Sequence, residues 1–71
     1  MTQLVINKLD ERRSVPIQKL AGPDSTGTPE QDSIFLQPRS RAKLPEGWEV
    51  QPAWLRVNAS TVGVHTVSAA I

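Results

Sequence analysis

Ser40 and Lys43 stand three residues apart in "SRAK", the spacing of a serine nucleophile activated by a lysine. That chemistry needs a helix, which brings residues three apart onto one face. Here Arg39, Arg41 and Lys43 alternate with Ser40, Ala42 and Leu44, which is the period of a strand. A strand sends Ser40 and Lys43 to opposite faces, so the pair is not expected to react.

The other reactive side chains are equally isolated. His65 is the only histidine, it lies in a Val-rich run, and there is no cysteine. A zinc site would need several carboxylates gathered around that one imidazole. The carboxylates Asp10, Glu11, Asp24, Glu30, Asp32, Glu46 and Glu49 fall mostly in turn-like stretches. None has the spacing of an acid/base pair. "NAS", residues 58–60, matches a glycosylation sequon, but a helix-ending Asn58 is the simpler reading. The glycines are scattered and form no phosphate loop. No catalytic, cofactor-binding or metal-ligating residue is assigned, and the chain is not expected to be an enzyme.

What remains is binding chemistry. Arg39, Arg41 and Lys43 form a cationic strand face, and Trp48 and Trp54 follow within a few residues. Small barrels that hold nucleic acid combine such a basic groove with aromatic platforms. Two features weigh against that use here. The net charge is only +1, and both tryptophans keep apolar company with Leu44, Val50, Leu55 and Val57. The plainer reading is a charged outer face that discourages edge-to-edge aggregation, with an acidic protein surface as a further possible partner. Tryptophan is a frequent anchor of protein interfaces. Trp54 is expected to point inward and Trp48 to lie at a contact. Phe35, Arg39, Arg41, Lys43, Trp48 and Trp54 are the candidate interface residues.

The elements that must position these groups follow from pattern. A strand is expected over about residues 3 to 8 on the propensity of Leu4, Val5 and Ile6, although Leu4, Ile6 and Leu9 keep no clean alternation. A solvated turn over Asp10–Arg13 leads to a second strand around "SVPIQKL", and the two are expected to pair as a hairpin. Pro16 has no N–H, so that second strand is expected at an edge or paired on one side only. Residues 21–33 hold two glycines and two prolines but no large apolar side chain, and read as one long loop that a partner could order. "SIFLQ", with Phe35 at its centre, suits a buried strand. Residues 33–37 and 40–44 could form a hairpin, or Pro38 could bend one long strand. "PEGW" is a turn with Gly47 left-handed, and "WEV" a brief strand. Pro52 suits the first turn of a helix, expected over about 52–57. A Val-rich strand closes the chain. The fold class expected is mainly β: a small sandwich or partly open barrel with one short helical turn and a long loop.

The totals bound this further. Seventy-one residues with two Trp, one Phe and no Tyr make one small domain, 1–71. A domain of this size buries only about 60% of the surface its unfolded chain exposes. Disulfides are excluded, so association is the remaining route to solidity, and the isolated chain is expected to be marginally folded. No apolar run approaches the roughly 18 residues of a membrane span, and the N-terminus lacks the form of a signal peptide. Neither membrane nor nucleic acid is the expected partner.

The segment "SIFLQPRSRAKLPEGWEVQPAWL", about a third of the chain, resembles small structural proteins of tailed bacteriophages. In these, two strands run through a Leu-x-Pro-Arg…Leu-Pro-x-Gly turn and end in a Pro-x-Trp-Leu element before a Val-rich strand. The matching residues are Leu36, Pro38, Arg39, Leu44, Pro45, Gly47, Pro52, Trp54 and Leu55. The resemblance includes no catalytic motif and carries over no site residues. It implies a virion component assembled in the host cytoplasm: a head decoration or cement protein, or a neck, tail or baseplate subunit. The expected partners are larger shell or tail proteins and further copies of the chain. A small nucleic-acid-binding barrel using Arg39, Arg41 and Lys43 is the alternative.

Overall fold

A computed structural model describes residues 2–21 and 27–67. The elements run β1 (Thr2–Asn7), β2 (Arg13–Lys19), β3 (Gln31–Leu36), β4 (Arg41–Lys43), β5 (Trp48–Val50), α1 (Pro52–Asn58) and β6 (Val62–Val67). The fold is mainly β, as expected, with one short helix. Two antiparallel three-stranded sheets are present, ordered β4-β1-β6 and β3-β2-β5. The 17 Å short axis fits two sheets stacked about 10 Å apart with side chains on their outer faces.

Strand alternation sets which residues meet between the sheets. Val5 comes from β1 and Val62 from β6, and Val15, Ile17, Leu36 and Val50 come from the facing sheet. Leu44, just past β4, completes the buried core. All are aliphatic. Ile34, Ala42, Trp48, Trp54, Leu55 and Val64 pack around them half-buried.

Several expectations are corrected. The first two strands do not form a hairpin: β1 pairs with β4 and β6, whereas β2 pairs with β3 and β5. Nor do residues 33–37 pair with 40–44, since β3 and β4 belong to different sheets. Gln37–Ser40 instead carries the chain across the sandwich, close to the bent-strand alternative. This turn closes with a Ser40 N–H to Gln37 carbonyl bond of 3.2 Å. Pro38 occupies its second position and Arg39, at φ 57°, its third, as in a type II turn. The 45–48 turn repeats the geometry: the Trp48 N–H reaches the Pro45 carbonyl at 3.1 Å, with Gly47 at φ 87°.

Pro16 is not on an edge strand, because β2 is the centre of its sheet. In an antiparallel strand a residue's N–H and C=O point to the same side. The Pro16 carbonyl accepts from the Gln51 N–H at 3.1 Å, so its missing donor faces the β5 side, where that ladder ends. The β3 side loses nothing. Gln51 leaves the sheet there and Pro52 opens α1, where a proline's absent N–H is harmless.

Val5 and Asn7 are fully buried, whereas Leu4 and Ile6 lie half-exposed on the outer face. The loop expected over 21–33 is shorter at its end, because Gln31–Ser33 pair with β2. Residues 22–26 of it lie outside the described residues.

Candidate interaction surfaces

The chain's polar anchors come first, because they hold the surfaces in place. Asn7 is the one buried polar residue among the described residues. Its Nδ2 donates to the Glu11 carbonyl at 2.9 Å and the Gln37 carbonyl at 3.0 Å. Its Oδ1 accepts from the Leu9 N–H at 3.0 Å. Glu11 lies in the β1–β2 crossing and Gln37 in the β3–β4 crossing. One side chain therefore fastens two of the chain's four passages between the sheets, and every polar atom it buries is satisfied. The sequence carried a signal for this, since Asn7 shares the phase of Val5.

Arg13 is the second anchor. Its Nη1 donates to the Thr61 hydroxyl at 2.8 Å and the Thr61 carbonyl at 3.2 Å, and its Nη2 to the Asn58 Oδ1 at 3.2 Å. The guanidinium also lies over the Trp54 ring, 5.1 Å from its centroid. Asn58 ends α1 as expected, and its Nδ2 donates back to the Trp54 carbonyl at 2.8 Å. Arg13 therefore does not belong to the solvated turn expected over Asp10–Arg13; it opens β2 half-buried. Only Asp10, Glu11 and Arg12 of that tetrad are exposed.

The candidate interface residues fall on separate surfaces. Phe35 was expected in a buried strand, but it is 75% exposed. It sits opposite Ser14 on the outer face of its sheet, because the inward phase of β3 belongs to Ile34 and Leu36. Arg41 and Lys43 lie exposed on the outer face of the other sheet, opposite Ile6 and Leu4. Their neighbours across β1 are Gly63 and His65.

Arg39 does not join that cationic face. It sits in the turn before β4, and its Nε and Nη2 donate to the Asp10 carboxylate at 2.6 and 3.3 Å. The guanidinium hydrogen bond, then its charge, holds the Asp10 carboxyl below its ordinary value. Trp48 and Trp54 are both half-buried against the core, so neither is the distinctly inward one.

No reacting pair assembles from these groups. Ser40 lies on the phase of Ala42 and Leu44, and its hydroxyl donates to the Gln37 carbonyl at 2.8 Å. Lys43 lies on the opposite phase, beside Leu4. His65 is exposed and faces Leu4 across the ladder. No group of three or more His, Asp or Glu side chains among the described residues is close enough to hold a metal ion. No helix among them is long and apolar enough to cross a membrane.

Compared with protein-family models, curated proteins and solved structures, the chain matches none.

Proposed function

We propose that this chain is a non-enzymatic structural subunit of a tailed-phage virion, a head decoration or cement protein or a neck or tail accessory. It stabilises a larger protein assembly, foremost the capsid, through contacts repeated over many copies. The observation that carries the reading is Phe35. The only phenylalanine of the chain is 75% exposed, while the core is built from smaller aliphatic side chains. Val57 at 82% and Leu20 at 48% exposure add to the apolar surface left outside. Such side chains gain most when a neighbour covers them.

The mechanism is clamping. Phe35 inserts into an adjacent subunit. The face of Leu4 and Ile6, edged by Arg41 and Lys43, rests on an apolar surface with acidic margins. Each contact is small, and symmetry multiplies it.

The nucleic-acid alternative needs cations and aromatic platforms together. Here Arg41 and Lys43 occupy an outer face, whereas Trp48 and Trp54 pack against the core between the sheets.

The test is co-sedimentation of the chain with the assembled shells and tails of the particle encoded with it, at rising salt. Apolar clamping predicts retention that holds or tightens with salt and is lost in Phe35→Ser. Failure to co-sediment, or retention only on nucleic acid and falling steeply with salt, would contradict it.

A further inference from the structure

The two sheets have four outer edges, and three of them carry a device that hinders pairing. On the free side of β3 the backbone groups of Gln31, Ser33 and Phe35 point outward, because Asp32 and Ile34 pair inward with Ile17 and Val15. The Ser33 N–H is already taken by the Asp32 carboxylate at 2.8 Å. On β5 the outward amides are those of Trp48 and Val50. The first donates to the Pro45 carbonyl at 3.1 Å and the second to the Gln3 Oε1 at 3.0 Å. The third edge, β4, is three residues long and carries Arg41 and Lys43, a guarded edge by length and charge.

The fourth edge, β6, has none of these devices. Its ladder to β1 continues the Lys8 N–H to Thr61 carbonyl bond, so Gly63, His65 and Val67 face β1 and Val62, Val64 and Thr66 face out. It is six residues long, "VGVHTV", with no proline and no Lys, Arg, Asp or Glu. Among the described residues nothing pairs with its outer side.

We infer that this edge pairs with β6 of a second copy of the chain, antiparallel about a two-fold axis at Val64. The sequence is self-complementary in that register. Val64 meets Val64 of the second copy, and Val62 meets Thr66, continuing the apolar layer between the sheets. On the outer face His65 stands opposite Gly63, which has no side chain of its own, so the imidazole would rest on the Ile6 and Lys8 side chains that flank that position at 3.4 to 3.7 Å from where a Cβ would sit. No like charges meet, because the strand has none. The two three-stranded sheets become one of six, β4-β1-β6-β6-β1-β4. Its margins are the two guarded β4 edges, so this sheet grows no further than six strands. A two-fold contact of this kind closes on itself, and strand addition supplies main-chain bonds directly.

For its role the pairing rests on the structural-subunit reading, but it is tested on the chain alone. Sedimentation equilibrium from micromolar to millimolar should show a species of twice the 7.8 kDa chain mass. Backbone amide exchange, read by NMR over the same range, supplies the signature. The Val62, Val64 and Thr66 amides should lose protection by about tenfold or more on dilution to monomer, while Gly63, His65 and Val67 keep theirs. Thr66→Pro removes one outward donor that β1 does not use, and Thr66→Lys puts a charge on the edge. Each should return the mass to monomer with β1 pairing intact, and the second remains informative if the proline variant does not fold.

A monomer at every concentration overturns the inference, whether the outward amides exchange freely or are protected by the chain itself. So does a dimer in which those amides stay unprotected. A monomer that still co-sediments with shells sinks only the pairing. A β6-paired dimer that binds no larger assembly sinks only the functional reading.

Discussion

The guanidinium of Arg13 stacks over the indole of Trp54 at 5.1 Å while the same fork bonds Thr61 and Asn58. One residue of β2 thereby holds the end of α1 and the start of β6. A lysine offers a point charge and cannot serve both partners while lying flat on the ring. Arg13→Lys should cost about 1 to 2 kcal/mol in urea unfolding. An unchanged midpoint would show that the fork contributes nothing.

Asn7 fastens two of the four crossings between the sheets, so its loss should be felt beyond its own strand. Asn7→Ala leaves the Glu11 and Gln37 carbonyls and the Leu9 N–H without their partner. The expected loss is roughly 2 to 4 kcal/mol, with the 8–12 and 37–40 amides opening first in hydrogen exchange. A loss under about 0.5 kcal/mol, the level of an ordinary surface change, would mean water replaces the side chain freely.

Trp54 and Arg41 separate packing from charge. Trp54 packs against the core and under Arg13, whereas Arg41 is exposed on an outer face. Trp54→Ala should destabilise by about 3 kcal/mol and Arg41→Ala by under about 0.5 kcal/mol. Equal effects in thermal or urea unfolding would place the core elsewhere.

These anchors also mark where the sequence stopped being readable. Strand positions, the Gly47 turn and the helix start at Pro52 could be read because each is a local event. Strand partners could not. Alternation says which side chains share a face but not which strand lies beside them, and both expected hairpins failed for that reason. The crossings that replaced them are held by Asn7 bonds to residues 4 and 30 positions away. Phe35 misled in a related way: a hydrophobic run of three, Ile34 to Leu36, gives its middle residue to the outer face of a two-sided sheet. Pro16 looked like an edge residue because the end of the β5 ladder beside it is set by Gln51, far along the chain. The cationic face lost Arg39 to a left-handed turn that no alternation could reveal.

The Asp10–Arg39 pair predicts a pH response. Asp10 titrates below its ordinary 3.8 because the Arg39 hydrogen bond and charge favour the carboxylate. Its folded value therefore lies below its unfolded one. The pair contributes stability above the unfolded value, and that contribution is lost as pH falls through the folded one. Both groups are exposed, so the effect should be small and screened by salt. An NMR titration should put the Asp10 carboxyl midpoint below 3.8, and Arg39→Gln should raise it. A midpoint at the ordinary value in the unchanged chain would show that the pair does not persist in solution.

The proposal that this chain builds particles is met most directly by the particles themselves. Intact-mass analysis of purified virions from the source that encodes it should find a 7.8 kDa component in fixed, multi-copy ratio to the main shell or tail protein. Virions that lack it, with the chain found only free in the host cell, would contradict the account.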